Sequence, residues 1–295
     1  MTIKKSPPFF DSIRGIGMNT ETEKSLDLPQ LQDSALSLEN RVAILTMQRD
    51  DVRNALTGTS LVNDIVTTVA WANCEPKASV LIITGEGSAF SSGGNVKDMQ
   101  DRSDIFRGSP IQIQEQYRRG IQQLPLALHS LEIPVIAAVN GAAIGAGFDL
   151  ACMCDIRIAS TRAQVSEAFI NLGLTPGDGG AWFMQRLIGY QKAAELTFTG
   201  RTVSADEALT LGIFLEVVEP DALIPRVFDL AFQIADKPPQ SLRLTKRLMK
   251  IAQRSELPDF LDLCAGFQSM AHYTEDHLEA VNAFLEKRSA TFKGK

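Results

Sequence analysis

The chain has 295 residues, 44% of them hydrophobic and 22% charged, which is enough for one large buried core and a smaller appendage. A net charge of −6 argues against nucleic acid or an anionic membrane as the main partner and leaves room only for a local basic patch. The longest apolar region, near Ile133 to Gly147, is too short and too broken to span a bilayer, and Met1 to Asp11 holds no secretory apolar segment, so a cytoplasmic location is the default expectation.

Residues 1–35 combine mixed charge, prolines and little periodicity, and are expected to form a flexible extension or an arm on a neighbouring subunit. The core, expected over 36–200, opens with a strand from Arg41 to Met47, a loop to Thr57 and a helix from about Thr59 to Asn73. Val80 to Gly85 reads as a strand, and Gly87 to Met99 as a glycine-rich loop entering a helix. Pro134 to Val139 is a short apolar run of the kind that fills a strand covered on both faces. Strand–helix alternation continues to about Ile158 and predicts an α/β core with mostly parallel strands. The region 201–295 reads as mainly helical, with Ser204 to Ala208 opening one helix and Pro238-Pro239 introducing another that runs through Lys250.

Chemistry concentrates where the apolar strand gives way to Asn140-Gly141-Ala142-Ala143-Ile144-Gly145-Ala146-Gly147-Phe148-Asp149. Small residues there let another molecule approach the backbone, and the first amides of the following helix have no internal partners and sit at the positive end of its dipole. Such amides stabilise an oxygen that gains negative charge; the plainer role of the same residues is tight packing of helix on sheet. Asp149 lies three residues beyond Ala146, on roughly the same helical face, where a carboxylate also suits the dipole. The Gly87–Met99 loop offers a second amide donor. Farther on, Gln164 to Trp182 carries Glu167 and a Pro176-Gly177-Asp178-Gly179-Gly180 turn leading into a helix, where Asp178 is either a functional acid or a local cap. Cys74, Cys152, Cys154 and Cys264 lack metal-ligand spacing, and His129, His272 and His277 are scattered, so neither a metal site nor a catalytic thiol is expected.

The loop Ala89-Phe90-Ser91-Ser92-Gly93-Gly94-Asn95-Val96-Lys97 and the stretch Asn140 to Gly147 resemble the two oxyanion segments of the enoyl-CoA hydratase/isomerase superfamily, the crotonases, and the resemblance runs from about Leu36 to Lys295. It implies a spiral of ββα units with a helical C-terminal oligomerisation region, assembled as trimers or pairs of trimers. The amides of Gly94 and Ala146 would grip the thioester carbonyl of an acyl-CoA as it becomes an enolate. Asp149 stands where the family's hydratases carry their first catalytic glutamate and its dienoyl-CoA isomerases an aspartate. The second hydratase glutamate falls on Phe169, which cannot transfer a proton; Glu167 replaces it only if the backbone is locally shifted. Asp178 lies at or one residue from the position of an active aspartate in isomerases and dehalogenases. Phe284 and Lys287, with Arg53, Ala55 and Lys97, are candidates for holding coenzyme A, which enters as part of the substrate; no prosthetic group is implied. Hydration of a 2-enoyl-CoA by carboxylate acid–base chemistry comes first. An enoyl-CoA or dienoyl-CoA isomerase using Asp149 and Asp178 is the alternative, and a noncatalytic acyl-CoA-binding protein is the reading from another class.

Overall fold

The computed structural model describes Leu28 to Lys295, so most of the expected N-terminal extension lies outside the described residues. The chain then runs through repeated ββα units. The first is β1 (Ser34–Glu39), β2 (Val42–Met47) and α1 (Leu61–Cys74). Its two strands form an antiparallel hairpin whose turn residues, Asn40 and Arg41, both take positive φ (46° and 69°), as a two-residue hairpin turn requires. Ser34 and Ala35, expected in the extension, therefore belong to the sheet.

The second unit is β3 (Val80–Gly85), β4 (Ala89–Ser91) and the helices α2 (Val96–Asp101), α3 (Pro110–Arg119) and α4 (Gln123–Ser130). The third is β5 (Val135–Val139), β6 (Ala142–Ile144) and α5 (Ala146–Met153). The fourth is β7 (Ile156–Ser160), β8 (Gln164–Ser166), α6 (Gly180–Ile188) and α7 (Tyr190–Thr199). In each of these three the first strand joins a six-stranded sheet, ordered β1-β2-β3-β5-β7 with a later strand at its edge, and the second joins a smaller sheet. Pairing in the large sheet is parallel beyond the first hairpin. The short strands β4, β6 and β8 are three residues each, too brief to show an alternating pattern, and by sequence alone they pass for parts of loops.

Beyond Gly200, where the sequence predicts mainly helices, two more strands occur: β9 (Thr202–Ser204) closes the small sheet and, after α8 (Ala205–Leu211), β10 (Glu216–Val218) closes the large one. The helices α9 (Pro220–Ala235), α10 (Pro239–Ala252), α11 (Leu257–His272) and α12 (Glu275–Glu286) complete the chain.

Burial explains the layers. Alternate residues of the central strands point to opposite faces. Leu81, Ile83, Ala137, Val139 and Ala159 enter the main core between the sheets and helices, whereas Val80, Ile82, Ile136, Ala138 and Ile158 lie under Leu223, Val227 and Ala231 of α9. Both faces are thus covered, which accounts for strands that read as continuous apolar runs. α10 is fixed by cations: Arg243 donates to the carbonyls of Ala72 and Glu75 at the end of α1, and Lys250 to those of His129 and Leu131 at the end of α4. Positive charge there offsets the negative ends of both helix dipoles. α11 buries none of its residues, and among the described residues no helix is long and apolar enough to cross a membrane.

Candidate active site

The two glycine-rich segments meet. Gly93 has φ +77°, and a Cβ on it would stand 2.9 Å from the nitrogen of Ala146 and 3.2 Å from that of Gly147. Gly147 in turn leaves no room for a side chain beside the carbonyl of Ser91. Glycine at both positions is what allows the loop after β4 to lie against the start of α5.

Peptide geometry then sets where the two amides point. In a trans peptide the C=O and the next N–H face opposite ways. The Gly93 carbonyl accepts from Leu56 N at 2.7 Å, so the Gly94 N–H is turned away from Leu56. The Gly145 carbonyl accepts from Phe148 N (2.8 Å) and Asp149 N (3.0 Å), so the Ala146 N–H faces backward off the helix start, toward the Gly93 loop. Thr57, not singled out from the sequence, accepts from Asn95 N at 2.8 Å and holds the far side of Gly94. Among the described residues neither the Gly94 nor the Ala146 amide has an internal acceptor.

Three carboxylates converge near this point from three different segments. Asp149 lies one turn into α5, Glu167 immediately after β8, and Asp178 in the turn before α6. All three are buried, at 0%, 1% and 2% exposure. Asp149 sits between the other two, in hydrogen-bonding reach of both. If all were ionised, both oxygens of Glu167 and of Asp178, and Oδ1 of Asp149, would have no donor. The remaining oxygen, Asp149 Oδ2, accepts from Gly180 N at 3.1 Å. Gly180 is forced to be glycine, because a Cβ there would overlap the Asp149 carboxylate.

Among the described residues no cation pairs with this cluster, so burial dominates its titration. Desolvation and the neighbouring charges of Asp178 and Glu167 push Asp149 well above the usual carboxylate range. Burial raises Glu167 from 4.5 to about 7, against the lowering effect of its hydrogen bond with Asp149. Burial also raises Asp178. All three carboxyls therefore hold their protons to higher pH than exposed carboxyls do, and Glu167 passes between acid and base forms near neutral pH.

Glu167, which the resemblance allows as the second acid–base residue only with a local backbone shift, is buried beside Asp149 and Asp178. Phe169, the position resembling a catalytic glutamate, lies in the 3₁₀ turn 168–172, its ring 3.7 Å from where a Cβ of Gly145 would be. Tyr117 covers the Asp178 turn: its ring stands 2.9 Å from where a Cβ of Gly177 would be, and Gln122 Nε2 donates to the Gly177 carbonyl at 2.8 Å. Neither contact shows in the sequence, because both join segments more than 50 residues apart.

The proposed coenzyme A residues divide into two groups. Ala55 forms a parallel bridge with Gly93, which places Arg53 beside the glycine loop, and exposed Lys97 lies in the first turn of α2, three residues past Gly94. Phe284 is 82% exposed on α12 and Lys287 caps that helix in a left-handed conformation, both on a helix that packs against α11. The structure does not bring these two to the carboxylates. A separate cavity of about 520 Å³ lies at the C-terminal end of α5 and along one side of α6, lined by Met153, Asp155, Trp182, Arg186, Lys246 and Met249 among others, and is lined by none of the predicted site residues.

Comparison with known proteins finds relatives in both sequence and fold. The model of the enoyl-CoA hydratase/isomerase family matches residues 37–295. The crotonyl-CoA hydratase of Syntrophomonas wolfei is 35% identical over 263 residues, covering 88% of this chain and 97% of that protein. The trans-2-decenoyl-[acyl-carrier-protein] isomerase of Streptococcus mutans is 29% identical over 259 residues, covering 88% and 97%. The crystal structure of an enoyl-CoA hydratase from Bacillus anthracis superimposes with a TM-score of 0.83 at 30% identity, covering 90% of this chain and all of that one.

Proposed function

The chain belongs to the enoyl-CoA hydratase/isomerase family, and on that footing we propose that it adds water across the double bond of a 2-enoyl-CoA thioester. The observation that carries this is the buried cluster of Asp149, Glu167 and Asp178 beside two unpartnered amides. The Gly94 and Ala146 N–H groups receive the thioester oxygen as it turns into an enolate, each contributing roughly 3 kcal/mol in a site shielded from water. An ionised carboxylate of the cluster, Glu167 or Asp178, orients a water and takes its proton as the oxygen attacks the β-carbon. Protonated Asp149 gives its proton to the α-carbon. Glu167, raised to about 7, passes between acid and base forms near neutral pH, and burial favours the protonated form of Asp149, which together suit this exchange. Tyr117 and Gln122 close over the Asp178 turn, so they move aside as the acyl chain enters.

Coenzyme A is part of the substrate in this reading, and no prosthetic group takes part. Arg53, Ala55 and Lys97 line its approach to the glycine loop. Phe284 and Lys287 join it through assembly into trimers or pairs of trimers, which is supported by the exposed apolar residues Leu261, Met270, Tyr273, Leu278 and Phe284 on α11 and α12 and the turn between them. The enzyme works in the cytoplasm.

Isomerisation remains the second reading, because Phe169 rather than a carboxylate occupies the position of the second hydratase glutamate. There Asp149 and Asp178 would remove and return a proton along the acyl chain without water.

Asp149→Asn and Asp178→Asn variants test the roles. The expected result is loss of turnover by about 100-fold or more, with affinity for a saturated acyl-CoA retained. Unchanged turnover in both variants contradicts the assignment, and a wild-type protein that binds the ester without turning over any enoyl-CoA identifies a binding protein.

A further inference from the structure

We infer that Asn54 is the residue that aims the Gly94 amide, a positioning residue for the proposed reaction that acts without touching substrate; the inference rests on the assignment of Gly94 and Ala146 as carbonyl-binding amides. Asn54 is fully buried (0% exposed) and, with Arg53, forms a pair of consecutive left-handed residues (φ 54° for Arg53 and 53° for Asn54). Asparagine tolerates that conformation better than most residues with a side chain. Its side chain uses both ends. Oδ1 accepts from Arg49 N at 2.9 Å, and Nδ2 donates to the carbonyls of Glu86 (3.0 Å) and Ala89 (2.9 Å). Gly85 is glycine at the same point, since a Cβ there would stand 2.7 Å from Asn54 Nδ2.

These bonds tie the loop before α1 to the loop that enters β4, and the backbone on either side of Asn54 holds the glycine loop in register. The Asn54 carbonyl accepts from Ser91 Oγ at 2.7 Å, and the same hydroxyl oxygen accepts from Gly93 N at 3.2 Å. Ser92 N donates to the Arg53 carbonyl at 2.9 Å, Ala55 bridges Gly93, and Leu56 N holds the Gly93 carbonyl. That last bond turns the Gly94 N–H toward the site. The relay therefore runs from the Asn54 amide through a short step of backbone pairing to the peptide that carries the donor. Because the donor is a backbone group, its direction depends on this scaffold and on no side chain of its own.

The test uses Asn54→Ser, which keeps a short acceptor near Arg49 N but cannot reach Glu86 and Ala89, and Ser91→Ala, which cuts the same relay from the other strand. The probe is a saturated acyl-CoA labelled with carbon-13 at the thioester carbonyl, whose infrared stretch falls in frequency when two amides polarise it. Wild-type protein is expected to lower the stretch. Both variants are expected to lose most of that lowering and about 10- to 100-fold in kcat, while affinity for the saturated ester stays within about threefold. Asn54→Asp, which keeps the Oδ1 acceptor for Arg49 N but loses the Nδ2 donor to Glu86 and Ala89, keeps the test decisive should Asn54→Ser fail to fold. A full wild-type lowering and an unchanged kcat in a folded Asn54 variant would overturn the role of Asn54, and the same result in Ser91→Ala would remove Ser91 from the relay. Absence of any lowering in the wild type overturns instead the carbonyl-binding assignment of Gly94 and Ala146.

Discussion

Replacing Glu167 by glutamine should stabilise the protein at alkaline pH and leave its stability nearly unchanged at acidic pH. The folded state raises the Glu167 carboxyl from 4.5 to about 7, so the folded chain binds this proton more tightly than the unfolded chain. The contribution of such a group is fully present below the unfolded value, near 4.5, and is lost as the pH rises through about 7. A rise of that size, at about 1.4 kcal/mol per pH unit, corresponds to roughly 3 kcal/mol of stability lost between about pH 4.5 and pH 8. Glutamine carries no charge to desolvate and has two N–H groups to give to Asp149, so it removes this loss and relieves part of the rise imposed on Asp149. Urea unfolding of wild type and Glu167→Gln at about pH 4.5 and pH 8 measures the effect, and the difference of differences cancels every group that titrates alike in both. The account predicts about 2 to 3 kcal/mol in favour of the variant at the higher pH relative to the lower, with reduced turnover. Equal differences at the two pH values would refute the picture of a carboxyl held protonated by burial.

Further outcomes rest on single contacts. Gly180→Ala adds a methyl group where the Asp149 carboxylate lies, so kcat should fall by about 100-fold or more although alanine is the better helix former; steady-state kinetics with unchanged activity would show that the carboxylate is free to move away. Lys246 is buried between Asp155 (2.6 Å) and the Ile133 carbonyl (2.6 Å), and Lys246→Met should cost about 2 kcal/mol by urea unfolding, a figure held down because Asp155 is partly exposed. Leu261→Asp with Leu278→Asp should shift sedimentation from a trimer or larger toward the monomer, whereas a wild-type monomer would remove the support for assembly through α11 and α12.

The strands and helices of the spiral are legible in the sequence where length and periodicity are strong: Val80–Gly85 and the helix through Lys250 form as expected. The three-residue strands β4, β6, β8 and β9 are not, because their partners are set by the spiral and not by their own composition. At the site, the glycine segments and Asp149 stand out through local motifs, and Asp178 through its turn. Glu167 stays undecided in the sequence, because motif spacing gives the position of its Cα relative to Phe169 but not whether its side chain enters the buried cluster beside Asp149. Asn54, Tyr117 and Gln122 act across long sequence separations, and a single sequence holds no signal for such contacts.

The central claim, that this protein adds water to a 2-enoyl-CoA, is tested most directly by incubating it with 2-enoyl-, 3-enoyl- and dienoyl-CoA thioesters in deuterated water and weighing the products. The account predicts that the 2-enoyl ester gains one water, with a solvent deuteron at the α-carbon. A product of unchanged formula with a moved double bond would contradict it and establish an isomerase built on Asp149 and Asp178.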